Sequence, residues 1–92
     1  MPLVKPKARR DDVTVVVLDG EAVIYDRRAG SLHHLNAGAT LVYELCDGSA
    51  SIAQLAADIA GAAGQPVERI EPDVRSAIRG LRKADLLEPS RR

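Results

Sequence analysis

The apolar pattern of this chain changes period once, at Asn36, and that change limits the fold more than any other feature. Before it, Val13 to Leu18 is almost entirely β-branched or apolar and reads as a strand. Glu21 to Asp26 alternates, with Val23 and Tyr25 on one face and Ala22, Ile24 and Asp26 on the other. Asp19-Gly20 separates the two runs. Both residues of a tight hairpin turn must accept positive φ, so this pair predicts a hairpin. Arg27-Arg28-Ala29-Gly30 predicts a second turn, with Gly30 left-handed, and Ser31 to Leu35 a short third strand.

Beyond Asn36 the spacing becomes helical. Asn36 is a good N-cap for a helix from about Ala37 to Asp47. Leu41, Val42, Leu45 and Cys46 form its expected apolar stripe, with Thr40, Tyr43, Glu44 and Asp47 on the other side. Gly48 follows as a C-terminal cap. Ser51 and Gln54 form a capping-box pattern ahead of Ile52, Leu55, Ala56, Ile59, Ala60 and Ala63, and Gly64 ends that helix. A third helix is expected from Glu71 or Pro72, with Asp73 at the positive end of its dipole. Val74, Ala77, Ile78 and Leu81 are its apolar stripe, and Leu86 and Leu87 return to the core.

The fold class is therefore α+β, a three-stranded antiparallel meander followed by three helices. That combination is winged helix-turn-helix-like. Ninety-two residues hold one such domain. We place a flexible basic tail at residues 1–12, the domain at 13–88 and a frayed end at 89–92. Apolar residues are 46% and charged residues 28%, which argues against disorder over the full length. There is no Phe and no Trp, so aliphatic side chains have to fill the core, helped by Tyr25 and Tyr43. Basic and acidic residues balance at 13 each, leaving no global field for nucleic acid or an anionic membrane. No apolar run approaches the length of a membrane span or a secretory h-region, and the expectation is a cytoplasmic protein.

Catalytic chemistry finds little support. His33 and His34 are neighbours on a strand and point to opposite faces, so they cannot share one metal ion there. No Cys-x-x-Cys, His-x-x-x-His or carboxylate cluster adds ligands. Cys46 sits on an apolar stripe beside Glu44 and Asp47, the wrong charge to activate a thiol. We expect no enzyme activity, no metal and no cofactor. Two surfaces remain. The third helix carries Arg75, Arg79, Arg82 and Lys83 at helical spacing, which reads as a solvated face, a protein or peptide surface, or a DNA-reading helix. Against DNA, the stretch from Asp19 to Glu68 has seven acids and two bases. The third strand, if it lies at an edge, is either blunted or open to an added strand.

Several segments together resemble the PqqD-like family, the peptide-recognition domains of ribosomal peptide natural-product pathways (RiPP recognition elements). They are Val23-Ile24-Tyr25-Asp26 to Gly30; Leu35-Asn36; Ala39-Thr40-Leu41-Val42-Tyr43-Glu44-Leu45-Cys46-Asp47-Gly48; Ser51-Ile52-Ala53-Gln54-Leu55; and Asp73-Val74, Ile78, Leu81 and Ala84-Asp85-Leu86-Leu87. Their order and spacing carry the resemblance from about Val13 to Glu88. Two positions depart from it. Tyr43 stands where the family commonly has another aromatic, often Trp, and Asp85 stands where it has Gly.

The resemblance implies a stand-alone chaperone that captures the leader of a precursor peptide by strand addition and presents it to a modifying enzyme such as a radical-SAM enzyme, ligase or protease. Its implied peptide-binding residues are Ser31, Leu32, His33, His34 and Leu35 on the strand, and Asp73, Val74, Ala77, Ile78 and Leu81 on the third helix. Arg75, Arg79 and Arg82 would serve acidic leader residues or the enzyme as electrostatic contacts. The alternatives are a DNA-binding winged-helix regulator and an adaptor that docks on an enzyme without a leader.

Overall fold

The computed structural model describes residues 5–89, so the expectations for residues 1–4 and 90–92 lie outside the described residues. Strands β1 (Val13–Leu18), β2 (Glu21–Asp26) and β3 (Ser31–Leu35) form an antiparallel sheet in the order β1-β2-β3. Helices α1 (Ala37–Leu45), α2 (Ile52–Ala63) and α3 (Val67–Lys83) follow. The expected meander and helices are all present.

The register follows from the turns. Asp19 and Gly20 both have positive φ, 53° and 78°, and Leu18 pairs with Glu21 across them. Gly30, at φ 71°, closes the second turn, where its N–H donates to the Asp26 carbonyl at 2.7 Å. Ala22 then pairs with Leu35, Ile24 with His33 and Asp26 with Ser31. Ala22, Ile24, Asp26 and Leu35 are buried on the helix side. Tyr25 lies on the other face, 43% exposed, and does not help fill the core as expected. Its neighbours there are Val16, Val23 and Leu32, all exposed.

The helices begin and end largely where their caps predict. The Asn36 side chain accepts from the Ala39 N–H at 2.8 Å. Ser51 and Gln54 complete both halves of the capping box. α3 begins at Val67, earlier than expected, and contains Pro72 within it. The reason is visible in the spacing: Ile70, half-buried against the core, extends the Val74, Ala77, Ile78 and Leu81 stripe backwards by one turn, and this outweighs the backbone hydrogen bond that Pro72 cannot make. Asp85 adopts the left-handed conformation, φ 61°, that ends α3. An Asp is tolerated there at some cost relative to Gly.

α1 is rotated from the expected stripe. Thr40, Val42, Tyr43 and Cys46 are buried, whereas Leu41 and Leu45 are 43% and 39% exposed. Polar partners decide this. The Thr40 hydroxyl accepts from the Ala22 N–H at 2.9 Å and donates to the Leu35 carbonyl at 3.2 Å, tying α1 to the end of the sheet. The Tyr43 hydroxyl donates to the Arg9 carbonyl at 2.6 Å. A buried hydroxyl with a partner loses little by burial, and the tyrosine ring then fills space that no Phe or Trp is present to fill.

The basic segment before β1 is not a solvated tail over its described part. Pro6, Ala8 and Arg9 are buried. Lys7 bridges to Asp47 and Ala8 to Leu87, with backbone hydrogen bonds Ala8 N–H to Cys46 carbonyl and Arg9 N–H to Leu86 carbonyl, both 2.8 Å. The segment is thus laced between the end of α1 and the chain after α3. Charge composition misleads here because Arg9 has a buried partner, Asp26. Its Nη1 and Nη2 donate to the two carboxylate oxygens at 2.9 and 2.7 Å.

Candidate functional site: the cleft between β3 and α3

β1 covers one side of β2 and β3 the other, which leaves the outer side of β3 without a partner strand among the described residues. Half of the backbone N–H and C=O groups of such a strand point away from its neighbour and are free to pair. α3 makes its main contacts with α1 and α2 rather than with the sheet. α1 packs on β2, β3 and α3 and so holds the two apart. The result is an open cleft of about 660 Å³ lined from the strand side by Leu32, His33, His34, Leu35 and Asn36, from α1 by Ala39, and from α3 by Asp73, Ser76, Ala77, Gly80, Leu81 and Ala84.

Most of the expected peptide-binding residues meet there: Leu32, His33, His34, Leu35, Asp73, Ala77 and Leu81. Three do not line it. Val74 and Ile78 are 2% and 1% exposed and belong to the core, and Ser31 is turned to His33, with 3.2 Å between its Oγ and the imidazole Nε2. The α3 stripe that faces the core is Val74 and Ile78, with Leu81 at the boundary between core and cleft; the adjacent stripe, Ser76, Gly80 and Ala84, faces the cleft. Small residues there leave room for an occupant but carry no hydrophobic signature. Helical spacing from Asp73 and Ala77 is the signal that could have found them.

His33 and His34 do point to opposite faces. His34 Nε2 lies 2.8 Å from Glu21 on the outer face. Leu32 is 70% exposed at the rim, an apolar side chain held at an open edge.

The Arg9 guanidinium fixes the cleft's two walls at one end. It grips Asp26, beside the turn that leads into β3, and its Nη1 donates to the Asp85 carbonyl just past α3 at 2.9 Å. The Asp26 carboxylate also accepts from the Arg28 and Ala29 N–H groups at 3.1 and 3.3 Å. Arg9, with those two N–H groups, holds the Asp26 carboxyl well below the usual carboxylate range, although burial pushes the other way. Because Arg9 touches both Asp26 and Asp85, the C-terminal end of α3 lies beside the start of β3. The helix therefore runs opposite to the strand, with Asp73 toward Leu35 and Asn36.

The cationic residues of α3 are not equivalent. Arg75 is committed to Glu71, its Nη2 2.6 Å from the carboxylate. Arg79, Arg82 and Lys83 surround a second depression that shares Gly80 with the cleft. Cys46 is buried at the end of α1; burial, then the charge of Asp47, pushes its thiol up to about 11.

Residues 21–87 match the family model for coenzyme PQQ synthesis protein D (PqqD). The chain belongs to the PqqD family. No curated protein matches it in sequence. Two solved structures share its fold. One is TbiB1 in complex with the TbiA(beta) leader peptide, 22% identical, with a TM-score of 0.74 over 94% of this chain and 99% of that one. The other is a lasso peptide synthetase B1 complexed with the leader peptide, 21% identical, with a TM-score of 0.73 over 92% of this chain and 99% of that one. For this PqqD-family chain, these similarities agree with the expected fold of three strands followed by three helices.

Proposed function

We propose that this PqqD-family protein captures the leader of a ribosomal precursor peptide as a fourth strand on β3 and presents the precursor to a modifying enzyme, without chemistry of its own. The observation that carries this reading is the open β3 edge facing α3 across a cleft floored by small residues. Backbone pairing supplies affinity that depends weakly on sequence, while apolar contacts at Leu32, Leu35, Ala77 and Leu81 supply selectivity. A micromolar complex needs about 8 kcal/mol, within reach of a short strand with two or three anchors. Membership of the PqqD family and the shared fold of two leader-peptide complexes support the same reading.

The test is a titration of the isotope-labelled protein with a leader peptide encoded beside its gene, followed by NMR. Amides of Ser31 to Leu35 and of Ala77, Gly80, Leu81 and Ala84 should shift, and co-purification should recover the modifying enzyme. Shifts confined to Arg75, Arg79 and Arg82 on adding duplex DNA, with β3 silent toward peptide, would instead favour the regulator.

A further inference from the structure

The cleft has unlike ends. Toward Leu35 and Asn36 lies Asp73, with the Glu21–His34 pair on the neighbouring strand ends. Toward Ser31 lie Arg79, Arg82 and Lys83, about 9 to 15 Å further along the helix than Asp73; Arg79 and Lys83 flank the cleft-facing stripe, whereas Arg82 lies on the far side of the helix. Among the described residues none of these three cations forms a salt bridge, whereas Arg75 does. Arg79 and Lys83 are neighbours four apart on one helix face and repel each other. The helix dipole favours Arg82 and Lys83 in the last turn. Arg79, one turn earlier, also borders a depression lined by Glu68, Glu71, Pro72 and Arg75, with no salt bridge to either acid. Between Arg79 and Lys83, Gly80 is exposed, and a Cβ built on it meets nothing within 4 Å. Gly80 is thus a low saddle joining the cleft to the basic depression.

We infer that the cleft is electrostatically polar along its length and selects a peptide strand whose acidic residues lie at the end beside Ser31, where Arg79 and Lys83 receive them across Gly80. The inference rests on the strand-addition reading and deepens it, naming the charge pattern of the occupant. Apolar side chains of the occupant fill the middle of the cleft, and a basic or neutral residue lies next to Asp73. Charge at these exposed positions acts mainly on encounter rate and on choice among peptides, because water screens it.

The experiment is a display selection of random peptides against the intact protein and against the double variant R79E/K83E. Circular dichroism checks that both are folded. Peptides that shift the Ser31 to Leu35 amides should carry Asp or Glu clustered on one side of their apolar residues. The best of them should bind R79E/K83E about tenfold more weakly at low salt and recover when its acids are changed to Lys. Arg75→Gln, outside the depression, should stay within about twofold. Peptides seated at β3 without acidic bias, or indifferent to R79E/K83E, would overturn the charge pattern and leave strand addition standing. Should no selected peptide disturb Ser31 to Leu35, strand addition fails and the charge pattern fails with it.

Discussion

At the residue scale, Asp26 carries the largest electrostatic consequence. A charged side chain on the inward face of β2 needs a buried partner, and Arg9 provides it. Because the carboxyl is held below its ordinary range in the folded state, its contribution is fully present above the unfolded value near pH 4 and is lost as pH falls toward the folded value. Asp26→Asn should therefore lower Tm by about 10 °C or more at neutral pH, since Arg9 keeps its charge without a counter-charge. It should also flatten the fall of stability with pH below about 4. Thermal unfolding from pH 7 to pH 2 checks both. Cys46 offers a simpler test. With its thiol pushed up to about 11 and its side chain buried, iodoacetamide at pH 8 should leave the native protein unlabelled and modify it rapidly once unfolded in guanidinium, as mass spectrometry would show.

At the scale of elements, the two stripes of α3 separate stability from binding. Gly80 is exposed in mid-helix with open space above it, so Gly80→Leu should raise stability by up to about 1 kcal/mol through helix propensity. The same side chain would fill the cleft and weaken peptide binding by about tenfold or more. Calorimetry paired with a binding isotherm reads both changes. Ile78→Asp is the opposite case: it buries a charge in the core, and its effect on binding should come through unfolding, seen as lost ellipticity. Local rules made the strands and α2 legible. Asp19-Gly20, the β2 alternation and the Ser51–Gln54 box each fix a conformation within a few residues. The start of α3 was less legible because Pro72 imitates a first-turn residue. The orientation of α1 was hidden because Thr40 and Tyr43 are buried for their hydrogen bonds rather than for their hydrophobicity. Of the cleft, the strand wall could be read directly. The helix wall could be read only in part: Asp73, Ala77 and Leu81 were legible, whereas Ser76, Gly80 and Ala84 were not, because small side chains carry no apolar signature, and Val74 and Ile78 fall behind them.

At the scale of the molecule, contacts distant in sequence decide what local rules cannot. Arg9 and Asp26 belong to segments with a strand and a turn between them, and the Ala8–Leu87 bridge joins the two ends of the described chain. With a single cysteine and few aromatic residues, these tertiary ties supply stability that a small aliphatic core lacks. The family match begins at β2, after the segment that contributes Arg9. A shortened protein starting at Val13 should consequently unfold at lower temperature than the full chain and bind peptide more weakly, measured by calorimetry and anisotropy. Such a trimmed chain would retain every strand and helix on a diagram. It would also leave the Asp26 carboxylate with two backbone N–H groups and no counter-charge, and the jaws that one guanidinium had pinned at a set gape would be free to drift.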